Sequence, residues 1–296
     1  MKTLIERSES LLISSDENEG AININSLGNR FQLNLGGDGI KIPKTAEEVQ
    51  LQCQEALVWN VIPNIKAGVN DKFSIKCTNG DGIVVNHLLT IPQGVYTLQS
   101  LYEMIILLLK NENGYDQTGE PPFSLEASNA TQKTILSLNF ANVEIDFTIQ
   151  NSLAETLGFE PRVVVVIPNQ NGTTVLPQGF LGDKIAKFDL VQYLLLHTDL
   201  TDNGIKYNGR RDSIISRIFL NNDIGSQCIN EPINPPIVSC NNLKGSTKSN
   251  ISVWITDQNG NDVNMLEEPF SARLLLTWKE PLHEHHHSNG KYTSYF

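Results

Sequence analysis

Basic residues are scarce in this chain of 296 residues. Its 22 Lys and Arg stand against 33 Asp and Glu, a formal net charge of −11, with a sequence pI near 5.0. Nucleic-acid phosphates are held by a basic footprint, so direct nucleic-acid binding is not expected. Long apolar runs are missing too. The longest, Met104 to Leu109, is far short of a bilayer, so no membrane span is expected. Met1-Lys2-Thr3-Leu4-Ile5-Glu6-Arg7 puts a carboxylate where a signal peptide needs its apolar stretch. The expectation is a protein neither transmembrane nor conventionally secreted.

Cysteine is rare, at positions 53, 77, 228 and 240, with no CxxC and no metal-ligand spacing. Cys53 and Cys77 lie in apolar-periodic stretches and read as small core residues rather than reactive thiols or ligands. Cys228 and Cys240 flank a Pro-rich loop that could bring them close, but a reducing compartment is the better reading. The sequons at Asn129, Asn171 and Asn250 carry no weight without a secretory route.

Catalytic signatures are also lacking: there is no G-x-S-x-G, no P-loop and no G-x-G-x-x-G. His283-Glu284-His285-His286-His287 formally satisfies H-E-x-x-H, which works only on a helix, where positions i and i+4 face one metal. Pro281 before it, Ser288-Asn289-Gly290 after it and the want of an apolar face make it a chance match in a low-complexity tail, open to adventitious Ni²⁺ or Zn²⁺. Asp257, Asn259, Asn261 and Glu268 mimic part of an EF-hand loop, yet Asp262 stands where the sharp turn needs Gly. A hairpin with Asn259-Gly260 at its tip reads better. His87 and His197 sit in apolar strands as satisfied, buried side chains; a metal-dependent hydrolase would need them to converge with a carboxylate. Arg210-Arg211 follow Asn208-Gly209, a loop tip or an intersubunit ion pair. No catalytic, cofactor-binding or metal-ligating residue is assigned, no cofactor is expected, and the chain reads as a non-enzyme.

What the chain has is alternation. At 40% hydrophobic and 19% charged it can bury one large or two medium cores. Residues 1–25 are polar and acidic around Leu11-Leu12-Ile13 and read as a flexible N-terminal arm. Period-two stretches follow: Ala21 to Leu35, Val49 to Val61, and a hairpin of Phe73–Cys77 with Ile83–Val85. Apolar residues at 98, 101, 102, 105, 106, 108 and 109 predict an amphipathic helix with Thr97 as N-cap. Strands at 123–127, 134–138 and 143–147 and a short helix from Ser152 to Leu157, stopped by Gly158, complete an α+β block from Ile91 to Phe159. Strands resume at 162–167, 187–197, 213–220, 251–256 and 272–278, the last two read as a hairpin about Asp257–Gly260. No internal repeat is found.

The absence of βαβ alternation makes this mainly β, an antiparallel single jelly-roll β-sandwich with an α+β insertion. The expected boundaries are 1–25 arm, 26–90 first half of the jelly roll, 91–160 insertion, 161–280 second half, and 281–296 His-rich C-terminal tail. Trp59, Trp254 and Trp278 read first as core and second as interface residues.

Several stretches, taken in order, resemble the penton (vertex) capsid proteins of virophages and polinton-like viruses. They are Ile91-Pro92-Gln93-Gly94-Val95-Tyr96-Thr97-Leu98, the hairpin about Ser128-Asn129-Ala130, Asp146-Phe147-Thr148-Ile149 and Leu153-Ala154-Glu155-Thr156-Leu157-Gly158-Phe159. Leu194 to Leu200, Ser213 to Ile218, Asp257 to Gly260 and Leu274 to Trp278 continue the order. The resemblance spans roughly residues 25–280. It implies a single jelly roll with an insertion, standing at the five-fold vertex as a homopentamer and touching double-jelly-roll major capsid subunits. It implies a virion protein assembled in the reducing cytoplasm of an infected host cell, its insertion outward and its arm reaching neighbouring subunits. It assigns no catalytic residues. Two other classes stay open: a carbohydrate- or receptor-binding jelly roll using Tyr207, Tyr292 or Tyr295, and the histidine-based hydrolase.

Overall fold

The computed structural model describes residues 4–115, 119–188 and 191–281. Its main elements in chain order are β1 (Leu4–Ser14), β2 (Arg30–Asn34), β3 (Glu47–Trp59), β4 (Lys72–Thr78), β5 (Val84–Thr90), α1 (Leu98–Asn111), β6 (Phe123–Ser128), β7 (Lys133–Leu138), β8 (Glu144–Asp146), α2 (Ala154–Leu157) and β9 (Val163–Val165). They continue with β10 (Gln178–Leu181), β11 (Tyr193–Thr198), β12 (Ile214–Phe219), β13 (Gln227–Asn230), β14 (Asn250–Asp257) and β15 (Ser271–Pro281). The chain divides into two units: Met1–Trp59, Tyr193–Leu220 and Gln227–Phe296 in one, Asn60–Gln192 with Asn221–Ser226 in the other.

In the first unit one sheet has the order β1-β15-β3-β13 and the other β12-β11-β14-β2, all pairs antiparallel. Counting these eight strands along the chain, the sheets read 1-8-3-6 and 5-4-7-2. That interleaving is the single jelly roll, two Greek keys wrapped into one sandwich. Alternation builds its core. β14 turns Ile251, Val253 and Ile255 inward, and β15 does the same with Ala272, Leu274, Leu276 and Trp278. On β3 the buried set changes phase, from Val49, Leu51 and Cys53 to Ala56 and Val58. The pairing register shifts there, Arg273 lying opposite Glu55 and Leu274 opposite Cys53. The extra residue is a β-bulge, which lets both halves of a long strand face one core. Phe31 and Phe270 meet edge-to-face at 5.2 Å in that core.

The expected arm is instead a strand. β1 pairs with β15 along its whole length, from Leu4 opposite Pro281 to Ser14 opposite Ser271. Ser15 closes the end, its N–H donating to the Phe270 carbonyl at 2.9 Å and its Oγ accepting from the Phe270 N–H at 2.8 Å. As an edge strand β1 buries little beyond Leu11 and Ile13, so its composition looks like that of a disordered segment while its backbone completes the sheet. The expected terminal hairpin also fails. The Asp257–Gly260 turn forms, with the Gly260 N–H donating to the Asp257 carbonyl at 3.1 Å, but β14 already has β11 and β2 as neighbours and β15 has β1 and β3. The connection crosses from one sheet to the other.

The second unit interrupts the jelly roll between its third and fourth strands. It has two antiparallel sheets, β9-β8-β4-β5 and β10-β7-β6, with α1. One core joins Phe73, Ile75, Cys77 and Leu89 to Leu101, Ile105 and Leu109 of α1 and to Phe123, Leu125, Leu136 and Leu138. Thr97 caps α1 as expected: the Ser100 N–H donates to Thr97 Oγ1 at 3.1 Å, and the Thr97 N–H donates to Ser100 Oγ at 2.9 Å. Gly158 ends α2 at φ 78°. This core moves both expected boundaries. The β4–β5 hairpin, assigned to the first half at 26–90, packs on α1, and β9 and β10, assigned to the second half at 161–280, pair with β8 and β7. The insertion therefore runs from 60 to 192 rather than from 91 to 160.

Candidate functional site

His87 belongs to the insertion unit and His197 to the jelly roll. His87 Nδ1 lies 3.0 Å from Glu112 Oε2, and its buried Nε2 has no hydrogen-bond partner among the described residues. His197 is wedged between hydroxyls, Nδ1 at 3.2 Å from Ser213 Oγ and Nε2 at 2.9 Å from Thr256 Oγ1. Burial, more than its charged neighbours, pulls its pKa down to about 4, so the ring is neutral at pH 7. Among the described residues no group of three or more His, Cys, Asp or Glu is placed to hold a metal ion. No described helix is long and apolar enough to cross a membrane.

The other candidates resolve one by one. All four cysteines are free and buried. Burial pushes the thiols of Cys53 and Cys77 up to about 11 and that of Cys240 to about 12, which leaves them unreactive at neutral pH. Cys228 and Cys240 do not pair. Asp257 Oδ1 accepts from the N–H groups of Asn259 and Asn261 at 2.7 and 2.9 Å, so the EF-hand mimic is a self-bonded turn. Arg210 and Arg211 flank the Asn208-Gly209 turn of a two-residue ladder with Lys206 and Tyr207. The His-rich tail, Tyr292 and Tyr295 lie outside the described residues.

The chemistry-bearing side chains that do gather lie on the outward face of the β12-β11-β14-β2 sheet. Strand register sets Arg30, Trp254 and His197 in one cross-strand row. The His197 and Trp254 rings stack at 5.1 Å, and the Arg30 guanidinium sits 4.6 Å over the indole. Farther along the face, Tyr193 stands opposite Phe219, and Arg217 lies 4.5 Å over the Phe219 ring and 5.3 Å from that of Tyr193. Neither Arg30 nor Arg217 has a carboxylate partner among the described residues. Beside them is a cavity of about 560 Å³ lined by His197, Tyr207, Asp212 and Asn259 among others. Tyr207 donates to the Gln258 carbonyl at 2.6 Å and accepts from the Tyr193 hydroxyl at 2.8 Å. The three tryptophans divide: Trp278 is core, while Trp254 and Trp59 are half-buried. Sequence reading passed over Arg30, Arg217, Tyr193 and Phe219. The signal was there for the last strand, since Arg217 and Phe219 are two apart and so share a face.

These features define a class, a single jelly-roll sandwich with a large α+β insertion and a cation–aromatic outer face. No family model and no curated protein matches the chain. Among solved structures it is similar to that described as "Crystal structure of SeMet-labeled mavirus penton protein", with a TM-score of 0.44 and 10% identity over 93% of this chain and 99% of that one.

Proposed function

We propose that this chain is a viral capsid protein, a penton that occupies icosahedral five-fold vertices as a homopentamer and contacts double-jelly-roll major capsid subunits in the virion. The observation that carries the reading is the outer sheet face, where exposed arginines stack on aromatics. Arg, Trp and Tyr are the residues that dominate protein–protein hot spots, and stacked guanidinium groups without a carboxylate partner among the described residues are ready to pair across an interface. The resemblance along residues 25–280 points to the same role. The free, buried thiols are compatible with assembly in a reducing cytoplasm. With β1 built into the sheet, contacts to major capsid subunits are made by folded surfaces. Sedimentation or native mass measurement of the purified chain tests the reading. Five copies in one particle are expected; a chain that stays monomeric at capsid-like concentrations overturns it.

The cavity beside Tyr207 and His197 favours a second reading, a carbohydrate- or receptor-binding jelly roll. Its mark would be a monomer that binds glycan and loses binding when Tyr207 is replaced by Ala.

A further inference from the structure

Two patches on the jelly-roll unit are complementary. The first is Arg217 with Phe219 and Tyr193, where Phe219 is 47% exposed. The second lies on the other sheet, where β13 and the connection after it present Ile229 at 58% exposure, Ile233 at 96%, and Ile237. Glu231 is exposed between the first two of these and has no ion pair among the described residues. Pro232, Pro235 and Pro236 fix φ and remove N–H donors along this connection. The isoleucines are thus held on a stiff loop that cannot extend a ladder, and their exposure to water needs a cause.

The strands that carry the patches border one edge of the sandwich. β12 and β13 end their respective sheets, and Asn230 Nδ2 donates to Ser216 Oγ between them at 3.3 Å. The patches therefore look out from opposite faces of a common edge. Contact of the first patch of one copy with the second patch of the next is heterologous, and its repetition closes a ring where the rotation it imposes is a whole fraction of a turn.

We propose that the occupant of each patch is a second copy of this chain, with Arg217, Phe219 and Tyr193 of one copy against Glu231, Ile229 and Ile233 of the next. The inference rests on the homopentamer reading and names its contact. Charge complementarity selects the occupant: Arg217 of one copy and Glu231 of the next are opposite charges, and each lacks an ion pair among the described residues of its own chain. Stacking orients the guanidinium before it meets Glu231, so little freedom is lost on pairing. The isoleucines on either side exclude water from the pair.

The test is a charge swap in the full-length chain, followed by sedimentation, with circular dichroism and thermal melts to verify folding. Both positions are exposed, so folding should be unaffected. Arg217→Glu and Glu231→Arg should each weaken assembly about 100-fold by setting like charges face to face. The double variant Arg217→Glu/Glu231→Arg should restore the ring, and Ile233→Asp should disperse it without any arginine change. Wild-type pentamers that persist in both single variants and in Ile233→Asp overturn this contact and leave the capsid reading standing. Single variants that dissociate without rescue in the double variant overturn the pairing of these two residues. A wild-type chain that never assembles overturns both.

Discussion

The jelly-roll unit is stitched together from distant segments, whereas the insertion unit is built from neighbours. β1 runs beside β15, Leu4 opposite Pro281, so the first sheet closes only when the two ends of the described chain meet. In the insertion, β4 and β5 are joined across residues 79–83 and β6 and β7 across residues 129–132, and α1 closes on them from close by in sequence. Local pairing costs little loop-closure entropy and forms fast; pairing across the whole chain is slow and depends on every strand arriving. The tryptophans divide the same way: all three, Trp59, Trp254 and Trp278, belong to the jelly roll. Their emission reports that unit alone, while the ellipticity of α1 reports the insertion.

The strongest way to break the comparison is to remove residues 1–14. A dispensable arm would leave the fold untouched. A jelly-roll edge strand is not dispensable, since its loss exposes one flank of β15 and removes the buried Leu11 and Ile13. The expected outcome is tryptophan emission typical of an unfolded chain, with the helical signal of α1 retained. Native-like emission in the truncated chain would sink the assignment of β1 to the sandwich. Next in size is a pair of core truncations. Phe31→Ala removes a fully buried ring from the jelly roll, and Phe73→Ala removes one that packs 5.4 Å from Phe123 and 6.3 Å from Phe147 in the insertion. Each should cost about 3–5 kcal/mol. In urea titrations Phe31→Ala should shift the tryptophan transition, whereas Phe73→Ala should shift the helical one. If both variants move both probes equally, the two units unfold as one.

Legibility followed the same divide. Thr97, the 98–109 periodicity, the 123–138 hairpin and Gly158 were readable because their signals are local: a cap, a stripe, a turn and a left-handed stop. The jelly-roll class was readable from alternating strands separated by turns. Which strand joins which sheet was not, because period two fixes the face a residue takes and says nothing about its neighbour across the ladder. That is why β14 and β15 looked like a hairpin, and why β4 and β5 were assigned to the wrong unit. β1 was hidden for another reason, since a strand at a sheet edge can be almost as polar as a disordered segment. The outer face was half visible: Trp254 stood out by its size, but its stacking on His197 and Arg30 depends on register across three strands.

His197 offers the finest test, because its effect belongs to the jelly roll alone. Its folded pKa of about 4 lies below the ordinary value of 6.5, and burial is the largest cause. Between those two values the unfolded chain binds a proton that the folded chain refuses. The unfolded state is therefore favoured as pH falls, and the contribution of the neutral ring is complete above about 6.5 and lost on the way down to about 4. At ~1.4 kcal/mol per pKa unit the loss is at most about 3–4 kcal/mol. The urea midpoint read by tryptophan emission should fall progressively from pH 7 to pH 4.5, and His197→Gln should flatten that slope. The substitution should leave the pH response of the α1 signal unchanged, since His197 lies outside the insertion. A midpoint that slopes equally in the wild type and in His197→Gln would mean that the carboxylates, not this ring, set the acid limit of the jelly roll.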